Sequence, residues 1–191
     1  MLLLTRLTPD RIRRFLDSQR DASFSYPEVG ASRTGSPPGY NVDHNRVQLG
    51  EGREAFERAV AAVRAWTMFD LGWVTVHPPR QPIEVGTTVA VVASHFGLWS
   101  MSATRIVYTV EESGPVRRYG FAYGTLMGHV ERGEERFTVE WHSGDDSVWY
   151  DLYAFSRPKH PLARLGYPLS RHLQKRFARD SKAAMVRGSK E

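Results

Sequence analysis

Cysteine is absent from this 191-residue chain, and so are long apolar runs. Without cysteine the protein can form neither a disulfide nor a zinc–thiolate site, which favours a reducing compartment. No stretch approaches the roughly 20 consecutive apolar residues of a membrane-spanning helix, and the apolar residues 2–4 are too few for a secretory signal. The sequence therefore predicts a cytoplasmic protein with no transmembrane segment.

Known catalytic and nucleotide-binding motifs are also missing. No phosphate-binding loop and no Ser–His–acid order occurs, and the glycines at 50 and 52 lack the third glycine and the preceding apolar strand of a dinucleotide site. The aromatic motifs of RNA-recognition domains are absent too. We therefore expect no cofactor, no bound metal and no nucleic-acid partner. Whether the protein is an enzyme is left open.

Basic charge is concentrated at one end of the chain. Residues 164–191 hold eight of the 26 basic residues but only two of the 21 acidic ones, so the net charge of +5 belongs to this segment. A charged helix face of this kind is commonly just solvated. The alternative is an interaction protein that uses the basic C-terminal helix on an anionic membrane surface.

The length fits a single domain, 1–191, with two helices near its start. Thr8 suits the N-cap and Pro9 the first position of a short helix. Apolar residues recur every three or four positions over residues 53–69 and predict a second helix. Between them, residues 23–40 are rich in Pro, Gly and Ser and predict a long loop, of a length that is often functional in compact domains.

Beyond residue 71 the apolar pattern changes to a period of two, which predicts strands. The connections between these strands are short, and parallel crossovers need a dozen or more residues, so the strands form an antiparallel meander. The strands predicted there are 73–77, 87–96, 99–111, 117–127, 134–142 and 147–156, and one earlier strand is predicted at 40–49.

A long helix is predicted over residues 161–187, with Pro168 as an interruption or restart. Six consecutive strands must curl and pack one face on a helix, and this last helix is amphipathic. We therefore predict an α+β fold in which a curved antiparallel sheet of six to seven strands wraps around a long C-terminal helix. This element order resembles the helix-grip architecture of START-related and pollen-allergen-like proteins. A lipocalin-like closed barrel is the alternative, disfavoured by the helix at 53–69.

The strand at 117–127 separates large from small side chains. One face carries Tyr119, Phe121, Tyr123 and Thr125, and the other carries Gly120, Ala122 and Gly124. A face of small residues lets another group approach the backbone closely. We expect the final helix to pack there, with a ligand platform as the alternative.

Several short strings give a more specific signal. They are Tyr123-Gly124-Thr125-Leu126 with Gly128-His129, Gly133-Glu134-Glu135-Arg136-Phe137, Phe24-Ser25-Tyr26, Leu49-Gly50-Glu51-Gly52, Arg105-Ile106-Val107-Tyr108 and Phe155-Ser156-Arg157-Pro158. Together they resemble an uncharacterised family, the domain-of-unknown-function family nineteen-ninety, over most of the chain from about Phe24 to Met185. The resemblance implies no activity, ligand or catalytic residue.

The leading functional hypothesis is a small hydrophobic-ligand or lipid-binding module. An aromatic-rich cavity between the curved sheet and the helix over 169–185 would hold the ligand. The predicted ligand-binding residues are Arg105, Tyr123, Thr125, His129 and Trp66. Arg105 could bind a carboxylate or phosphate through its planar guanidinium, or instead form a structural ion pair with Glu135 or Asp151.

The second hypothesis is a hydrolase or isomerase that uses His129 with Glu134 or Glu135 as its acid and base. It requires these side chains to converge in one cleft. Successive residues of a strand point to opposite faces of the sheet, so Glu134 and Glu135 cannot both face the same cleft. A structural network of ion pairs around the turn is the alternative.

Overall fold

A computed structural model describes residues 2–3, 7–95, 97–129, 131–158 and 167–190. Its strands are β1 (Leu2–Leu3), β2 (Asn41–Glu51), β3 (Val74–His77), β4 (Thr88–His95), β5 (Leu98–Glu112), β6 (Val116–Thr125), β7 (Glu131–His142) and β8 (Ser147–Pro158). Its α-helices are α1 (Pro9–Ser18), α2 (Gly52–Arg64) and α3 (Tyr167–Gly188). None of these described helices is both long and apolar enough to cross a membrane.

The strands form one antiparallel sheet in the order β2-β8-β7-β6-β5-β4-β3. From β3 to β8 each strand pairs with the next one along the chain, which confirms the predicted meander. The earlier strand β2 joins the far side by pairing with β8. The two-residue β1, which the sequence did not predict, pairs with the start of β5 at Trp99 and Ser100.

The first helix begins where the sequence predicts. Thr8 is the N-cap, and its hydroxyl accepts a hydrogen bond from the Arg11 N–H at 3.3 Å. The apolar side of α1 packs on the sheet, where Ile12 joins a buried cluster with Val92 of β4 and Met101 of β5. We call the sheet face that carries this cluster the outer face.

The second helix is shorter than predicted. Instead of continuing to Phe69 it ends at Arg64, and Trp66 has a left-handed backbone with φ of 61°. A left-handed bulky residue breaks the helix, because α-helical dihedrals cannot continue through it. The chain then forms a 3₁₀ turn over Thr67–Phe69, which buries Met68 and Phe69 completely or nearly so.

Helices α2 and α3 cover the opposite face of the sheet, which we call the inner face. The main core lies there and combines α2 and α3 residues such as Val63 and Met185 with sheet residues such as Phe121 and Phe137. Within the described residues α3 begins at Tyr167, with Pro168 in its first turn, where proline is tolerated. The part of the predicted helix at 161–166 and position 96 of a predicted strand lie outside the described residues. The architecture confirms the predicted helix-grip fold.

The orientation of β6 corrects one prediction. Its large residues Phe121 and Tyr123 face the helices, while the small residues face outward. A Cβ atom at Gly124 would lie 2.1 Å from the Tyr26 hydroxyl, so the loop over 23–40 occupies the small-residue face. The final helix packs on the other face, because the large side chains there fill the space between sheet and helices, and the loop takes the position that a ligand platform would need.

Candidate ligand-binding cavity

A cavity of about 250 Å³ lies between the inner face of the sheet and the middle of α3. Helix α3 contributes Leu173, Gln174, Phe177 and Ala178 to its wall. The 3₁₀ turn adds Phe69, and β8 adds Leu152 and Ala154. These residues make most of the wall apolar. The cavity lies where the sequence predicted one, between the curved sheet and the last helix.

Glu135 is a carboxyl group inside this apolar surface. It pairs across the strands with Tyr123, whose hydroxyl donates a hydrogen bond of 2.6 Å to Glu135 Oε2. Burial raises the pKa of Glu135 to about 7; the Tyr123 hydrogen bond opposes this rise, while Asp43 and Glu131 add to it. Although Glu135 lies deep in the protein, part of its surface faces the cavity. The side-chain donor bonded to Glu135 is thus a neutral phenol.

Two more carboxyl groups, Asp43 and Glu131, line the cavity near α3. Arg171 binds both oxygens of Asp43, with Nη2 2.6 Å from Oδ1. Gln174 donates to Glu131 Oε2 at 2.6 Å, and burial raises the pKa of Glu131. Across the described residues, no group of three or more His, Asp or Glu side chains is arranged to hold a metal ion. Asp43 is thus paired with a cation, whereas Glu131 and Glu135 are bonded to neutral donors.

A row of hydroxyl groups runs along the inner face of β5, formed by Ser100, Ser102 and Thr104. Thr104 pairs with the core residue Val89 of β4 and is only 2% exposed. Its Oγ1 has no hydrogen-bond partner in the described part of the chain. A buried hydroxyl without a partner costs about 1–3 kcal/mol. Thr104 therefore brings a buried hydroxyl with unused hydrogen-bonding capacity to the wall of the cavity.

Three of the five predicted ligand contacts line the cavity: Tyr123, Thr125 and His129. The Thr125 hydroxyl is already engaged, at 2.6 Å from the Ser25 hydroxyl and 3.1 Å from the Gly133 nitrogen. Nδ1 of His129 accepts from the Glu131 N–H at 3.0 Å. Tyr123 is therefore the predicted contact whose position beside Glu135 bears most directly on ligand binding.

The predicted ligand contacts of Arg105 and Trp66 are corrected by the structure, which places both side chains away from the cavity wall. Arg105 donates to the carbonyl oxygens of residues 19, 20 and 22 at 2.8–2.9 Å, and so holds the turn after α1 against the sheet. It also forms neither of the ion pairs that the sequence suggested. Trp66 packs at 4.7 Å from the Phe121 ring and donates its indole N–H to the Gln81 carbonyl. Both side chains stabilise the fold.

The predicted acid–base set is divided by the sheet. Glu134 pairs with Gly124, so its side chain lies on the outer face, while Glu135 faces inward. The Glu134 carboxylate accepts hydrogen bonds from Tyr26 Oη at 2.8 Å, Ser32 Oγ at 2.5 Å, and the backbone nitrogens of Gly30 and Ser32. Glu134 also lines the cavity, but these four hydrogen bonds occupy its carboxylate on the outer face and so argue against an acid–base role with His129. A role for Glu135 with His129 stays a prediction, since both line the cavity.

The functional groups that sequence reasoning missed are Asp43, Thr104 and Gln174. The alternation Ser-x-Ser-x-Thr over 100–104 could have indicated a polar row on one face of a buried strand. Asp43 and Gln174 had no such signal, because the pairing of β2 with β8 and the packing of α3 bring them to the cavity.

Comparisons with known proteins agree with the fold. The model of a family described as domain of unknown function (DUF1990) matches residues 25–184. A UPF0548 protein of Dictyostelium discoideum is 35% identical over 195 residues, covering 92% of this chain and 90% of the relative. A UPF0548 protein of Deinococcus radiodurans is 39% identical over 202 residues and covers 99% of both chains. The crystal structure of hypothetical protein jhp0584 from Helicobacter pylori superposes with a TM-score of 0.56 at 13% identity, over 87% of this chain and 96% of that one.

Proposed function

We propose that this chain, which belongs to the family described as domain of unknown function (DUF1990), binds a small, partly apolar molecule in the cavity between its sheet and α3. The observation that carries the proposal is the cavity itself. Protein interiors are close-packed and leave few voids larger than a water molecule. A space of about 250 Å³ that opens to solvent and reaches between the sheet and α3, with a mostly apolar wall, is therefore suited to a small ligand.

The composition of the wall supports the same proposal. Ligand sites combine a mostly apolar and aromatic surface with a few polar groups that fix orientation. Here Phe69, Trp73 and Phe177 supply aromatic surface, and Glu135 and Thr104 supply polar points. The volume lies just below the usual range of about 300–1,000 Å³ for such sites, which favours a compact molecule over a long-chain lipid.

The contacts of α3 favour the alternative hypothesis, in which this basic helix binds an anionic membrane surface, less than they favour ligand binding. Arg171 pairs with Asp43, Arg176 lies 4.4 Å above the Trp73 ring, and Lys182 donates to Asn45 at 3.4 Å. These three basic side chains contact neighbouring parts of the protein and are engaged in holding α3 in place. Contact of the remaining basic residues with an anionic membrane surface stays a prediction.

Native mass spectrometry of the purified protein, with a cavity-filling variant, tests the proposal. Ala154→Leu places a larger apolar side chain in the cavity, and Ala61→Leu makes the same change on the exposed side of α2. We expect a co-purifying small molecule, or a hit from a fragment library, to bind the wild type and Ala61→Leu but not Ala154→Leu. Equal binding by a folded Ala154→Leu would place the ligand elsewhere and contradict the proposal.

A further inference from the structure

The charges around the cavity are unbalanced. Asp43, Glu131 and Glu135 all line it, and Arg171 is bound to Asp43 on both oxygens. Glu131 receives a neutral amide donor from Gln174, and Glu135 receives a neutral phenol from Tyr123. His95 also lines the cavity, but burial lowers its pKa, so it favours the neutral form. The side-chain donors bonded to Glu131 and Glu135 are therefore both neutral, whereas Asp43 is bonded to a cation.

A second and independent feature points to a missing group. The Thr104 hydroxyl is buried, lines the same cavity and has no partner in the described residues. Thr104 lies on β5 and Glu135 on β7, with β6 between them. Thr104 is opposite Thr125 and Glu135 is opposite Tyr123, so the two positions are two strands apart and offset by two residues along the strands. With strands about 4.8 Å apart and about 3.4 Å per residue, their separation is roughly 12 Å. A ligand that meets both groups carries two polar ends on a short apolar body.

Resting on the proposed function, we propose that the cavity selects a small amine: a protonated amino group binds the Glu135 carboxylate, and a second polar group reaches the Thr104 hydroxyl. Hydrogen bonds in which both partners are charged are shorter and stronger than neutral ones, and a buried carboxylate is stabilised most by a cation. The apolar wall between the two polar points contacts the body of the ligand. An anionic ligand is disfavoured when Glu135 is ionised, because it would then meet a like charge at short range.

Three matched probes test this inference, built on a 4-(hydroxymethyl)cyclohexyl scaffold. They differ at one end, which is an aminomethyl, a hydroxymethyl or a carboxylate group. Binding is measured by isothermal titration or ligand-observed NMR at pH 8, where Glu135 is ionised more than half because its pKa is about 7. We expect the amine to bind about tenfold or more tightly than the diol. The carboxylate probe should not bind.

Variants locate the selectivity. In Glu135→Gln we expect the amine and the diol to bind within about threefold of each other, since the charged partner is gone. The matched control Glu111→Gln removes an exposed carboxylate at the far end of β5 and should keep the amine preference. In Thr104→Val both probes should bind more weakly, because the common hydroxymethyl end loses its partner.

The wild-type comparison decides the inference without any variant. A diol that binds as tightly as the amine would overturn amine selection and leave the proposed function intact, because the cavity would still hold a ligand. Binding of none of the three probes would also overturn it, and the native-mass and Ala154→Leu results would then judge the proposed function separately. An amine preference that survives in a folded Glu135→Gln variant would show that another group selects the cation.

Discussion

Glu134 and Glu135 are consecutive residues of β7, yet one carboxyl group holds the N-terminal loop on the outer face and the other lines the cavity on the inner face. The alternation of a strand produces this division directly. One short segment therefore fixes the loop over 23–40 and also supplies the most unusual group of the candidate site. Substitutions at the two positions should have separable effects.

Removing the Glu134 side chain should strongly destabilise the protein. In Glu134→Ala four buried donors lose their acceptor, from Tyr26, Gly30 and Ser32. We expect the free energy of unfolding to fall by about 3 kcal/mol or more, which is typical when one side of a buried polar network is deleted. Urea denaturation measures this. Glu111→Ala, at an exposed position, should change the value by less than about 0.5 kcal/mol, and a similarly small effect for Glu134→Ala would contradict the prediction.

A methyl group at Gly124 should disturb the same loop by a steric route. The added Cβ would lie 2.1 Å from Tyr26 Oη, the atom that donates to Glu134. We expect Gly124→Ala to lower the free energy of unfolding by about 1–3 kcal/mol, as overpacking commonly does. Limited proteolysis should then cut the loop over 23–40 faster. Gly144→Ala is the control, since nothing lies within 4 Å of a Cβ there; equal behaviour of the two variants would refute the steric argument.

Two threonine substitutions should change the free energy of unfolding in opposite directions. Thr104→Val removes a buried hydroxyl without a partner, so we expect the free energy of unfolding to rise by up to about 1 kcal/mol. Thr125→Val removes a hydroxyl that bonds Ser25 and Gly133, and should cost about 1–2 kcal/mol. Thermal and urea unfolding of the ligand-free proteins give both values. A loss of stability in Thr104→Val comparable to that in Thr125→Val would mean that the Thr104 hydroxyl is satisfied within the protein.

The free energy of unfolding should decrease as the pH rises, because of Glu135. Burial raises its pKa from the ordinary 4.5 to about 7, so between these values the folded protein retains a proton that the unfolded chain has released. This contribution to stability is complete below about pH 4.5 and is lost as the pH rises through 7. From pH 5 to pH 8 the wild type should lose roughly 2 kcal/mol more than Glu135→Gln in urea unfolding.

Glu111→Gln serves as the control for this pH dependence and should follow the wild type. Identical pH profiles for the wild type and Glu135→Gln would show that Glu135 titrates at its ordinary pKa. The ligand experiments at pH 8 would then need no allowance for incomplete ionisation.

The fold could be predicted largely from local signals. Thr8 and Pro9 mark a helix start by their own chemistry, and the period-two segments with short turns between them permit an antiparallel meander and little else. The end of α2 could not be predicted in this way. Trp66 fits the apolar stripe of a longer helix, and only the packing of Phe69 into the core explains its left-handed backbone.

The residues of the site could be predicted only in part, because the sequence pattern does not show which face of the sheet is covered by the helices. Periodicity shows that Tyr123 and Gly124 lie on opposite faces of β6, but both faces of this sheet are covered, by helices on one side and by α1 and the loop on the other. The pattern alone therefore cannot say which face is the inner one. Arg105 illustrates the same limit, because its partners are backbone carbonyls, which leave no trace in the sequence.

The pairing of β2 with β8 has a consequence for how the protein folds. Asn41 lies opposite Ser156, so this edge of the sheet forms only after more than 100 further residues have been synthesised. Contacts of such high sequence separation slow folding, because the entropy of closing a long loop must be overcome first. Until then β2 lacks its strand partner, and an unpaired strand edge is a template for association between chains. The pairing that brings Asp43 to the cavity therefore also protects one edge of β2 from such association.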